Sequence, residues 1–198
     1  MIKRFGDYDQ TKSYGSFEQL PKGGYVLQIK GVELLTNRIG EYLKISADIF
    51  EGEYKDFFAK EYKAQQSEDK KWHCNFLLNI PKDDGSERDG WTKRNFKTFT
   101  ETLEESNEGY YFDWDELKFK GKLIGGLFNE REYETQQGQI RRATNWARVP
   151  SVDKIREGSF KIPDDKLLQQ SPQPRPVETA DDGFLNLPED MEDDLPFA

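Results

Sequence analysis

Apolar and polar residues alternate along two segments in the first third of the chain, which is the pattern of half-buried β-strands, and a third segment after them is also predicted as a strand. These segments are residues 25–36, 41–50 and 54–63. In the second segment, Leu43, Ile45, Ala47 and Ile49 share one face. Turn residues separate the segments, so the sequence predicts a three-stranded antiparallel meander. Gly31 interrupts the first strand and predicts a bulge or bend there.

The middle of the chain predicts a helix. The apolar run before Pro81, within residues 64–90, is compatible with a short helix or a short strand. Apolar residues then recur at near-helical spacing, at Trp91, Phe96, Phe99 and Leu103. Thr92 is the candidate N-cap and Gly109 follows the end, so the pattern predicts a helix from about residue 92 to about residue 106.

Two β-rich stretches predict a hairpin after this helix. They cover residues 122–133 and 139–150, and the polar turn ETQQG separates them, with Gly138 at the tip. Five strands with a helix between the third and fourth favour a mainly β fold, a five-stranded OB-fold barrel without exposed strand edges. An SH3-like barrel and an open α+β sheet stay as alternatives, because strand count does not determine topology.

The C-terminal part of the chain differs in composition. Residues 178–198 hold 8 of the 38 acidic residues and none of the 29 lysines and arginines, so the rest of the chain is close to neutral. A polar, proline-containing segment cannot bury enough apolar surface to offset its ordering entropy. We therefore expect one domain over residues 1–163 and a disordered linker with an acidic tip over residues 164–198. The near-neutral domain is compatible with a polyanionic ligand.

Several classes of function find no support in the sequence. The single cysteine, Cys74, excludes an intrachain disulfide, and with the single histidine, His73, it supplies too few ligands to predict a metal site. No cofactor or catalytic motif is present, so we do not expect an enzyme; a nuclease built on the acidic cluster at residues 113–116 is a minor alternative. No apolar run approaches the roughly 20 residues that span a bilayer, and we expect a cytoplasmic protein without membrane contact.

The predicted strands supply aromatic rings and cations on the faces opposite their apolar residues. Such faces suit single-stranded nucleic acid, because bases stack on rings and cations follow the phosphates. The candidate strand residues are Tyr42, Lys44, Phe58, Lys60, Tyr62, Arg142, Trp146 and Arg148. Lys93 and Arg94 add cations at the predicted helix start, where the backbone also favours phosphate. Each candidate also has a purely structural interpretation. Trp146 could cover the end of the barrel, the other rings could pack in the core or in an oligomer contact, and the charged residues could simply be solvated.

The last residues of the chain carry a second signal. The stretch DMEDDLPF closely resembles the C-terminal tip of bacterial single-stranded DNA-binding proteins, which docks replication, recombination and repair enzymes. The resemblance implies that the acids meet basic rims on those enzymes and that the apolar residues fill a pocket. The residues concerned are Asp190, Glu192, Asp193, Asp194, Leu195, Pro196 and Phe197.

The part of the chain before the acidic tip also resembles a known group of proteins. Three stretches resemble phage and prophage single-stranded DNA-binding proteins of Gram-positive bacteria: LPKGGYVLQIKGVELL, YLKISADIFEGEYKDFF and FKGKLIGGLFNEREYETQQGQIRRATNWARVPSVDKIREGSFKIP. Together with the tip, this implies a homo-oligomer that coats single-stranded DNA in the host cytoplasm and recruits processing enzymes. The alternative is an interaction adaptor, a β-barrel with a docking tail and no nucleic acid contact.

Overall fold

A computed structural model describes residues 19–135 and 138–168, together with Gly6. Within these residues the chain forms five strands, three α-helices and one 3₁₀ turn. In chain order they are β1 (Gly23–Thr36), β2 (Glu41–Ile49), α1 (Phe57–Ala64), β3 (Asn75–Asn79), α2 (Glu87–Glu105), the 3₁₀ turn (Glu116–Phe119), β4 (Leu123–Glu134), β5 (Ile140–Arg148) and α3 (Val152–Arg156). The predicted mainly β fold is confirmed.

The five strands form one antiparallel sheet in the order β3-β2-β1-β4-β5. The central strand, β1, pairs with both neighbours, and Leu27 lies opposite Ile49 of β2 and Ile124 of β4. Between residues 19 and 168 no ladder joins β3 to β5. The sheet is therefore open in these residues, and closure into a barrel is not part of the described architecture.

A bulge bends the central strand where the sequence predicts it. The register between β1 and β2 shifts between Ile29 and Gly31, which confirms the prediction at Gly31. A second shift lies in the β4–β5 hairpin, between Leu127 and Phe128. Because side chains alternate along a strand, a shift of one residue changes which side chains face the core.

The predicted third strand, residues 54–63, is wrong, because most of it forms α1. The apolar residues of this segment, at 54, 57, 58 and 62, have helical spacing rather than alternation. The buried carboxylate of Asp48 accepts hydrogen bonds from the N–H groups of Phe58 (3.0 Å) and Ala59 (3.1 Å). A carboxylate at this position satisfies the free N–H groups of the first helical turn. The third strand instead comes from the ambiguous region, as β3.

The predicted helix is present as α2, but it begins five residues before the predicted start. Thr92 is not the N-cap. Ser86 is, and its hydroxyl accepts a hydrogen bond from the N–H of Asp89 at 3.1 Å. Thr92 lies inside the helix, where its hydroxyl donates to the carbonyl of Arg88. The N-cap was missed because residues 86–90 carry no apolar side chain to reveal the first turn.

The predicted hairpin is confirmed as β4 and β5, and Gly138 in its turn has φ 73°. The main core lies on one face of the sheet and is covered by α1 and α2. Phe58 of α1 stacks on Phe128 of β4, and Phe99 of α2 stacks on Phe76 of β3. The predicted inward residues of β2, from Leu43 to Ile49, are all buried in this core.

The segment after β5 covers the opposite face of the sheet. A Cβ added at Gly125 of β4 would lie 2.5 Å from the carbonyl oxygen of Pro150 and 2.8 Å from Ile155. Farther along, Lys166 exchanges backbone hydrogen bonds with Glu130 and Glu132 on the free edge of β4. Contacts with the sheet therefore continue past the predicted domain boundary at residue 163.

Candidate nucleic-acid interface

Tyr42 and Lys44 lie on the face of β2 that points away from the main core, as predicted. Their cross-strand neighbours on β3 are Asn79 and Leu77. The ammonium of Lys44 lies 3.3 Å from the carboxylate of Glu33 on β1. This ion pair is solvent-accessible, so it contributes little stability and leaves the cation able to exchange partners. The face therefore presents an aromatic ring and an available charge side by side.

Trp146 does not lie on this outer face, which corrects the prediction. It is only 7% exposed, and its indole ring packs against Phe76 at 5.2 Å and Phe128 at 6.1 Å between centroids. Its indole N–H donates to the carbonyl of Arg148 at 3.0 Å. With rings of β3 and β4 around it, Trp146 is a core residue that links the two halves of the sheet.

The three candidates from residues 54–63 do not share a strand face, because they lie on α1. Phe58 is buried in the core, which is incompatible with its predicted contact to a base. Lys60 is exposed, and its ammonium donates to the carbonyl of Lys55. Tyr62 is partly exposed and packs against the ring of Trp72, with a centroid distance of 5.7 Å.

The two β5 arginines differ in their surroundings. The guanidinium of Arg142 lies 3.0 Å from the carboxylate of Glu132 and 3.7 Å from that of Glu130. Two glutamates therefore compete with a phosphate for this cation, whereas Lys44 has one such competitor. Arg148 is half-buried, opposite Leu127.

The outer face of the hairpin carries a second group that the sequence analysis missed. Tyr133 of β4 pairs directly with Arg141 of β5, and Arg131 lies two residues along the same face. Tyr133 and Arg141 are exposed. Among the described residues, neither arginine has a carboxylate within ion-pair distance. The sequence analysis applied strict alternation to β5 and chose the face of Arg142 and Trp146 instead. Only the pairing register of the hairpin shows that Tyr133 and Arg141 lie together on the outer face.

The predicted cations of α2 lie in two settings. Lys93 forms an ion pair with Asp83 and another with Asp89 at 2.9 Å, and these carboxylates raise its pKa. Arg94 is exposed and lines a shallow groove along the helix with Trp91 and Asn95. The side-chain nitrogen of Asn95 is buried and has no hydrogen-bond partner in the described residues. Of the two cations, Arg94 is the one available to a ligand.

His73 and Cys74 do not face the same way. The His73 ring nitrogen Nδ1 lies 2.8 Å from the carboxylate of Glu61, and this hydrogen bond raises the pKa of the histidine. Cys74 is fully buried, and desolvation raises the pKa of its thiol. Across the described ranges, no group of three histidine, cysteine or acidic side chains is placed to hold a metal ion.

The predicted partner-binding residues of the tip lie outside the described residues. They are Asp190, Glu192, Asp193, Asp194, Leu195, Pro196 and Phe197. Within residues 19–135 and 138–168, no helix has the length and apolar character needed to cross a membrane. No family model matches the chain, and no curated protein shows significant sequence similarity to it.

Proposed function

We propose that this protein binds single-stranded DNA with little sequence preference and recruits DNA-processing enzymes through its acidic tip. Bases would stack on exposed rings, and lysines and arginines would follow the phosphates. A finer fold assignment accompanies this proposal: the sheet is a partly open OB-fold, a barrel whose strand order brings β3 and β5 together at its seam. The contact between Phe76 of β3 and Trp146 of β5 supports that curvature.

One observation carries the proposal. OB-folds bind oligonucleotides on the face of strands 2 and 3 and in the loops between strands 1 and 2 and between strands 4 and 5. Here Tyr42 and Lys44 occupy that face of β2, and the exposed Arg38 lies in the β1–β2 loop. Tyr133 and Arg141 lie beside the β4–β5 turn. A ring with a cation therefore occurs on β2 and beside the β4–β5 turn, and a cation occurs in the β1–β2 loop, which are positions that such a fold uses for nucleic acid.

The test is fluorescence anisotropy of a labelled oligo-dT, at two salt concentrations, with a duplex of equal nucleotide count as competitor. Tyr133→Ala removes a stacking ring, worth about 1–3 kcal/mol per base, so the affinity should fall at least about five-fold. Arg141→Ala should weaken binding and reduce the salt slope by about 0.7.

The matched control is Arg88→Ala, which removes an exposed arginine from α2, a helix that packs against the other face of the sheet. It should leave the affinity and the salt slope unchanged. Absence of salt-dependent binding to oligo-dT would refute the proposal and favour the adaptor. Equal losses in Arg141→Ala and Arg88→Ala would show that the charge acts non-specifically and that the assigned surface is wrong.

A further inference from the structure

Three large apolar side chains are exposed in the segment between α2 and β4. Trp114 is 81% exposed, Tyr111 is 78% exposed and Leu117 is 69% exposed. We call these three residues the 111–117 patch. Large apolar groups that are concentrated on a protein surface commonly mark a site of contact with another molecule. None of the three belongs to the surface proposed for DNA.

The segment that carries the patch is anchored on the body of the protein. The Trp114 ring stacks on Phe96 of α2, with 6.3 Å between centroids and 12° between planes, and contacts Phe112 at 5.5 Å. The N–H of Phe112 donates to the carboxylate of Glu104 at 2.8 Å. Trp114 also has φ 68°, a left-handed conformation that bulky residues rarely adopt. The fold thus holds this indole outward at a conformational cost.

The surroundings of the patch are acidic. Residues 104–122 contain six carboxylates and three lysines, and the ammonium of Lys122 lies 4.4 Å from the ring centroid of Tyr110. One of these lysines, Lys118, forms ion pairs with Asp113 and, at 3.8 Å, with Asp115. Burial first, and then the nearby carboxylates of Asp113, Glu104 and Asp115, raise the pKa of Tyr110. These carboxylates therefore act on one common region of the surface, beside the exposed rings.

The charge decides what can occupy the patch. DNA phosphates, an anionic membrane and the acidic tip of this chain would all be repelled by excess carboxylate. A symmetric contact with a second copy would bring two acidic rims together. A segment with lysine or arginine beside apolar side chains has the complementary pattern, since its cations can pair with the rim and lie over the indole face.

We propose that the 111–117 patch is a docking surface for a basic, apolar segment of a partner protein. Trp114 is the central contact and Tyr111 and Leu117 flank it. The carboxylates of Asp113, Asp115 and Glu116 form the rim that selects positive charge. The site is independent of the proposed DNA surface, so this protein would join two kinds of partner at separate places.

The experiment uses the full chain and three labelled synthetic peptides of equal length. One alternates arginine and leucine, one alternates glutamate and leucine, and one alternates arginine and serine. Anisotropy should show saturable binding of the arginine–leucine peptide, with at least ten-fold weaker binding of the other two. The Trp114 indole N–H resonance should shift during this titration, which reports contact at the patch directly.

Two variants and a matched control test the assignment. Trp114→Ala should weaken the arginine–leucine peptide at least ten-fold and leave oligo-dT affinity unchanged. Neutralising the rim with Asp113→Asn, Asp115→Asn and Glu116→Gln should weaken the same peptide and flatten its salt dependence. Tyr133→Ala removes an exposed ring elsewhere and should leave peptide affinity unchanged, even though it tests the DNA surface.

Four results would overturn the proposal. These are unchanged peptide affinity in Trp114→Ala, equal binding of the glutamate–leucine peptide, loss of oligo-dT affinity in Trp114→Ala, and self-association of the wild type that Trp114→Ala abolishes. The third would assign the patch to nucleic acid and the fourth to a second copy of the chain. Because the DNA surface is tested with Tyr133→Ala, failure of either proposal leaves the other intact.

Discussion

Replacing Trp146 with alanine should destabilise the protein. The side chain is 7% exposed and packs between Phe76 and Phe128, and its indole N–H satisfies the carbonyl of Arg148. Truncating a buried tryptophan to alanine costs about 3–5 kcal/mol. For a urea m-value of about 2 kcal/mol/M, the midpoint of unfolding should fall by roughly 2 M.

The assay is urea unfolding followed by circular dichroism, with Trp146→Phe and Trp114→Ala as comparisons. Trp146→Phe keeps an aromatic ring but loses the N–H donor, so it should cost about 1–2 kcal/mol. Trp114→Ala truncates an exposed ring and should cost less than about 1 kcal/mol. A midpoint shift below about 0.5 M for Trp146→Ala, together with a large loss of oligo-dT affinity, would refute the core assignment and restore Trp146 as a stacking residue.

Two further predictions concern packing and pH. Gly125→Ala should destabilise by about 1–3 kcal/mol, because its Cβ would lie 2.5 Å from the carbonyl oxygen of Pro150. Gly90→Ala, in open space within α2, should stabilise by up to about 1 kcal/mol. In urea unfolding, a stabilising shift for Gly125→Ala would contradict the first assignment, and a destabilising shift for Gly90→Ala would contradict the second. The hydrogen bond to Glu61 raises the pKa of His73 in the folded protein. The pair therefore stabilises the folded state fully below the unfolded histidine pKa of about 6.5, and this contribution is lost as pH rises through the folded pKa. NMR titration of this single histidine should show a lower pKa in Glu61→Gln; an unchanged pKa would exclude the pair as the cause.

Local patterns in the sequence were sufficient for most of the sheet. The inward face of β2 from Leu43 to Ile49, the bulge at Gly31 and the hairpin with Gly138 in its turn were all predicted and are confirmed. Each depends on the alternation of side chains along a strand, on an interruption of that alternation, or on the left-handed conformation that glycine adopts in a turn. These preferences act over a few residues, so a single sequence reveals them.

Contacts between distant residues decided what the sequence could not. Residues 54–63 were predicted as a strand, although the apolar residues Tyr54, Phe57, Phe58 and Tyr62 have the i, i+3, i+4, i+8 spacing of a helix. The carboxylate of Asp48 satisfies the first N–H groups of that helix. The spacing covers little more than two helical turns, whereas the hydrogen bonds at the start of the helix come from a residue ten positions before Phe58, which only the tertiary structure shows. Because of this error, the core residue Phe58 was assigned to a binding face.

The candidate interface shows the same division. The sequence alone determined that rings and cations alternate with apolar residues, which limits them to a few strand faces. The tertiary structure decided which faces are free: a register shift beside Phe128 accompanies the inward position of Trp146, and Tyr133 and Arg141 pair on the outer face. Residues after β5 cover Gly125 of β4 and Gly24 of β1. The physical reason is that exposure depends on what packs above a side chain, and those neighbours come from remote parts of the chain.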